Sequence, residues 1–186
     1  QDAATPPDTT DLKTAVLKYG NPYPAAWAQM GLAEATVTVS GLAFSGFDLR
    51  AKIGYLADLD SFKQNPVKPP LSPVQSMILK VPAGDKDLKA SVFNAGLNPT
   101  LRWTAPQQGT PDRYQVRIFQ RVEVGTNRDL EVANIETTGT EILIPPDVLK
   151  TGVNHYLIVR ALQGGGPLQA GVPQAWADCV SAVIVP

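Results

Sequence analysis

The chain has 186 residues, and its 16 basic against 17 acidic side chains leave a net charge of −1, so no global field draws it to nucleic acid or to an anionic membrane. No run approaches the ~18 apolar residues of a membrane helix. The single cysteine, Cys179, excludes an intrachain disulfide and a cysteine-cluster metal site.

Residues 1–11 are small, polar and proline-containing, the composition of a tether, and 1–30 as a whole reads as an N-terminal extension. Thr10 or Asp11 can cap a short helix with Leu12, Ala15, Val16 and Tyr19 on one side, stopped by Gly20 and Pro22. The same residues read equally as an added strand. Residues 31–95 carry strand signals. Ala35–Leu42 alternates β-branched residues, and 47–56 places Leu49, Ala51, Ile53 and Tyr55 on one face with Arg50 and Lys52 on the other. Ser76–Val81 is near-continuously apolar and predicts a strand covered on both faces. Leu88–Phe93 either closes this first unit or opens the next. Four strands make a thin sandwich, so this unit is expected to complete its core with the N-terminal segment, a neighbouring unit or another chain.

Residues 96–186 repeat the period-2 pattern more strongly. Arg113–Val122 sets Tyr114, Val116, Ile118 and Val122 on one face and arginines on most of the other. Leu130–Glu136 and Glu141–Ile144 are short strands around Thr137–Thr140. Leu149–Ala161 alternates again after a turn at Gly152, and Ala175–Val185 is the last strand, reached through Gly164–Pro167. The motifs Pro99-x-Leu101-x-Trp103-x-x-Pro106, Tyr114-x-Val116-x-Ile118 and Leu149-x-x-Gly152 leading to Leu157-x-Val159-x-Ala161 resemble those of a fibronectin type III domain, over roughly residues 88 to 186. The resemblance implies Trp103 on strand B, Tyr114 opening strand C, and Leu149–Ala161 running from the E–F corner into strand F. The tyrosine-corner position holds His155, so an imidazole takes the place of the corner hydroxyl as a hydrogen-bonding group. The expected fold is therefore all-β: two β-sandwich domains, 31–95 and 96–186, behind a short N-terminal extension.

Catalytic chemistry finds little footing. His155 is the only histidine and no Gly-x-Ser-x-Gly elbow exists, so a base–nucleophile–acid set is missing unless Cys179 meets His155 across strands F and G. The pairs Asp58/Asp60 and Asp85/Asp87 could serve Ca²⁺ but read better as turn formers, and Gly164–Gly166 lacks the lysine of a phosphate loop. No enzyme activity, cofactor or metal is expected. The informative feature is the outer face of strands C and F, where Arg113, Arg117, Phe119, Arg121, Tyr156, Ile158 and Arg160 gather, a mixture enriched at protein contacts. A competing arrangement has Phe119, Tyr156 and Ile158 covered by the first unit or by the loop between strands F and G, with the arginines as its solvated rim.

With 17 Pro and 15 Gly, and with neither an initiator Met nor a signal-peptide core, the chain is expected to be the mature, exported part of an extracellular or cell-surface protein, and a lipid anchor on it is left open. The expected role is a non-catalytic binding or structural module acting through a protein partner or self-assembly, of the adhesive or filament-subunit kind. The alternative is an accessory carbohydrate-binding or spacer domain of a larger secreted enzyme, with polysaccharide as its ligand.

Overall fold

The computed structural model describes residues 24, 26, 30–39, 49–63, 68–122, 128–164 and 173–186. The tether and the helix-or-strand of 1–20 lie outside the described residues, as does the loop around Gly165 and Gly166. Within the described residues the chain is all-β. Its strands are β1 (Met30–Val39), β2 (Leu49–Asp58), β3 (Gln75–Val81), β4 (Gly84–Asp87), β5 (Val92–Phe93) and β6 (Thr100–Thr104). They continue as β7 (Arg113–Val122), β8 (Arg128–Thr137), β9 (Glu141–Leu143), β10 (His155–Gln163), β11 (Ala175–Val180) and β12 (Ile184–Val185). One 3₁₀ turn, Leu59–Lys63, follows β2.

Two sheets face each other in a sandwich-like arrangement. The smaller runs β4-β3-β6-β9. In the larger, β10 is central, with β7 and then β8 on one side, and β11, β2 and β1 on the other. Between the sheets lie Met77, Leu79, Leu101 and Trp103 from one, and Tyr114, Val116, Ile118, Leu157, Val159 and Ala177 from the other. Trp103 meets Tyr114 edge-on, ring centroids 5.3 Å apart. Each such aliphatic side chain withdrawn from water contributes roughly 1.5–3 kcal/mol.

Several expectations change. The strands of 31–95 do not close a sandwich among themselves. β2 pairs with β11 (Tyr55↔Ala175 to Ile53↔Ala177) and β3 with β6, so the first hairpin extends the larger sheet while β3 and β4 belong to the smaller. Two short hairpins hold too little apolar surface to form a core alone, and each completes itself on a longer strand. β3 is buried on one face only, through Met77, Leu79 and Val81, while Ser76 and Lys80 are exposed. Of Leu88–Phe93 only Val92–Phe93 is extended, and it pairs parallel with β12 and so joins the larger sheet. The last strand is broken at Ser181, whose Oγ accepts the Leu157 N–H (2.9 Å) and so fills the ladder where the backbone leaves it.

Candidate functional site

The larger sheet brings the predicted face together. β7 and β10 pair antiparallel with Tyr156 opposite Phe119, Ile158 opposite Arg117 and Arg160 opposite Gln115, so the seven chosen residues occupy adjacent strands. The apolar ones are not open to solvent: Phe119, Tyr156 and Ile158 are 8%, 5% and 8% exposed. They form a second cluster with Leu49 and Val183, against which Val39, Val180 and Val185 also pack. Phe119 and Tyr156 stack nearly parallel, 4.9 Å between centroids. β10 is consequently buried on both faces, and its alternation conceals two cores rather than one core and one surface. Burial raises the Tyr156 hydroxyl pKa well above its ordinary value, and Asp129 adds to the effect by charge and hydrogen bond.

The arginines are likewise engaged. Across the β7–β8 ladder, Arg113 Nε lies 3.5 Å from Glu136, Arg121 lies 3.6 Å from Asp129, and Arg117 bonds Glu131 through Nε (3.2 Å) and Nη2. The Arg117 guanidinium also sits 4.9 Å from the Phe119 ring centroid. Arg121 itself is buried. Arg160 grips Asp178 of β11 in a bidentate pair, Nε to Oδ1 2.6 Å and Nη2 to Oδ2 2.9 Å. The four arginines of the predicted face are thus each paired with a carboxylate. The signal was legible in Asp129-Leu-Glu131, whose acids stand within reach of Arg121 and Arg117 once the bulge between Ile118 and Phe119 is allowed for.

What stays open on this face is a cleft of about 450 Å³ crossing β1, β2, β11, β10 and β7. Its charged lining comprises Glu34, Arg50, Lys52, Arg117, Arg160 and Asp178, with Trp176 and Ile158 as apolar wall. The indole of Trp176 sits where Gly54 has no side chain: a Cβ there would fall 2.5 Å from its Cζ2. Asp178 accepts the backbone N–H of Lys52 (3.2 Å), one step beyond the last β2–β11 ladder pair, which ties the first hairpin to the Arg160 lock. Lys52 holds Glu34 at 2.9 Å. Arg50, exposed, has no ion-pair partner among the described residues.

The chemistry-bearing residues singled out from sequence are not brought together. His155 is fully buried and its Nδ1 lies 2.9 Å from the Val153 carbonyl, so Nδ1–H donates to it. Burial lowers its pKa; the Val153 bond works the other way and Lys150 adds to the lowering, which keeps the ring neutral. Cys179 pairs opposite Val159, four residues along β10 from His155, so the two do not meet. Burial, then Asp178, pushes its thiol pKa up, the reverse of an activated nucleophile. Asp87 accepts the Lys89 N–H at 2.9 Å, a turn function. Among the described residues no three metal-ligating side chains converge, and no helix is long and apolar enough to cross a membrane.

No family model matches this chain, and no curated protein or solved structure matches it.

The remaining open feature is the sheet edge. β1 pairs with β2 in one unbroken register from Met30↔Asp58 to Val39↔Leu49 and has no second neighbour among the described strands. Met30, Leu32 and Val37 are 56%, 60% and 51% exposed, and Glu34 is the only charge in ten residues. The other described edges are blunted. β8 carries Asp129, Glu131 and Glu136 and faces a bulge, β4 is four residues of Gly-Asp-Lys-Asp, β9 is three residues long and β5 two. Among the described edges β1 alone is long, unbroken in register and nearly uncharged.

Proposed function

We propose that this chain is a non-catalytic extracellular or cell-surface module that works through protein–protein contact or assembly, and that it makes the contact along β1. The observation that carries this reading is the unprotected ten-residue edge, because an exposed strand with unpaired N–H and C=O groups is a template for another extended chain. A buried, neutral His155 and a thiol held protonated support the absence of catalysis. The Pro- and Gly-rich composition supports an exported setting. The strand order supports reading residues 75–185 as fibronectin type III-like, with β3, β6 and β9 in the places of A, B and E, and β7, β10 and β11 in those of C, F and G. Carbohydrate stacking loses its platform, since Phe119 and Tyr156 are buried against each other.

The test is a photo-crosslinking amino acid at Thr36, which is exposed at the middle of β1, in cells that make the chain. Irradiation is expected to join it to a protein, at twice the chain's mass for self-assembly and at another mass for a different partner. A chain that stays unlinked at Thr36, and equally unlinked at Val37, overturns the reading.

A further inference from the structure

We propose that the occupant of the β1 edge is a second copy of this chain, whose own β1 pairs antiparallel across a two-fold axis with Thr36 opposite Thr36. The inference rests on the reading of β1 as the contact edge and adds both the partner and the register. A two-fold perpendicular to a sheet keeps each face continuous, so a residue on β1 meets a residue of the same parity, and only a few registers are available. A register centred on Glu34 sets two carboxylates directly opposite each other, which is unfavourable. One centred on Ala35 sets the partner subunit's Glu34 beside Thr36, whose other neighbour is Lys52, a cation already held by this chain's own Glu34. One centred on Thr36 sets it beside Thr38, whose other neighbour is Arg50.

Only that third register offers the partner subunit's Glu34, which in its own chain already bonds Lys52, a second cation that is not itself paired among the described residues. Arg50 is the cation of the cleft with no ion-pair partner among the described residues, and only the short Thr38 stands between it and the incoming carboxylate. Two strand spacings, about 10 Å between Cα atoms, are spanned by an extended arginine and glutamate reaching toward each other. The two-fold makes the contact twice. On the opposite face the same register places Val37 against the partner subunit's Ala35 and Val39 against the partner's Ala33, so each larger side chain meets a small one and the half-exposed Val37 is covered. β1 carries neither lysine nor proline nor bulge, and Glu34 is its one charge.

Sedimentation velocity of the purified chain across the micromolar range tests the pairing. A monomer–dimer equilibrium is expected. Arg50→Glu converts two attractive contacts into two like-charge ones and is expected to weaken the dimer about tenfold or more, while Arg50→Glu with Glu34→Arg recovers most of the loss. Circular dichroism confirms that each variant is folded. In a Cys179→Ser background, Thr36→Cys is expected to form a disulfide-linked dimer on mild oxidation and Leu32→Cys is not, because only position 36 faces itself. A chain that is monomeric throughout overturns the proposal, and so does a dimer indifferent to Arg50→Glu or linked through position 32 rather than 36. A monomer that still crosslinks to a different protein at Thr36 leaves β1 a contact edge and removes only the second copy.

Discussion

The Arg160–Asp178 pair is where a single substitution tests the most of the structure. Asp178 is 3% exposed and accepts three hydrogen bonds, from Arg160 Nε (2.6 Å), Arg160 Nη2 (2.9 Å) and the Lys52 backbone (3.2 Å). Arg160→Met keeps the stem of the side chain against Ile158 and Trp176 but leaves the carboxylate with one neutral donor. Hydrogen bonds to charged groups contribute about 1.5–3 kcal/mol each. Breaking a buried pair costs about 3–5 kcal/mol, because the remaining charge stays desolvated. The neighbouring cleft lets water approach the exposed side, which sets the expectation at the lower end, about 3 kcal/mol. For a chain of this length that is about 6–12 °C in Tm. Urea unfolding of Arg160→Met measures it. Adding Asp178→Asn, which removes the stranded charge yet can still accept the Lys52 N–H, is expected to restore more than half of the loss. A cost under about 1 kcal/mol for Arg160→Met, or a double variant worse than the sum of its parts, would show that the pair is a solvent-screened surface contact.

His155→Asn tests the corner. Its amide can keep the bond to Val153 but does not titrate. Because the folded-state pKa of His155 lies below its ordinary 6.5, the unfolded chain takes up the proton first, and the wild type loses stability as pH falls from about 6.5. The slope reaches at most about 1.4 kcal/mol per pH unit. Urea unfolding at pH 7.5 and 5.5 is expected to show the variant's deficit shrinking at the lower pH; an unchanged gap would contradict a buried neutral ring. Gly54→Ala puts a methyl group 2.5 Å from Trp176 Cζ2 and 3.1 Å from the Ala33 carbonyl oxygen, so the indole must move. The expected cost is about 1–3 kcal/mol with a shift in tryptophan emission, and unchanged stability and emission would mean that the indole does not rest on β2.

The core between the sheets was legible because period-2 alternation is a local property: Tyr114, Val116 and Ile118, or Leu157 and Val159, face inward whatever their strand pairs with. Pairing is not local. Nothing within residues 49–58 says that Gly54 leaves room for Trp176, 122 positions away, or that the Lys52 N–H ends on Asp178; that information is spread over both strands. The face made by Phe119, Tyr156 and Ile158 was identified as continuous, but alternation alone left open whether it was exposed or covered by the first unit, since a strand buried on both sides still alternates when one cover is apolar and ringed by ion pairs; Leu49 and Val39 supply that cover. The arginines were read one strand at a time. Their partners Asp129, Glu131 and Glu136 lie on the next strand, and between Arg117 and Glu131 a bulge shifts the register by one residue. The open edge of β1 escaped notice for a related reason: an edge is defined by the neighbour a strand lacks, and a sequence records neighbours only through pairing.

Amide hydrogen exchange followed as a function of protein concentration goes most directly to the role of β1. Protection of residues 30–39 is expected to rise with concentration as the edge acquires a second strand, while β8, at the other end of the sheet and studded with charge, exchanges at the same rate throughout. Equal exchange in β1 at every concentration, with Arg50→Glu indistinguishable from the wild type, would contradict pairing of two chains through this edge.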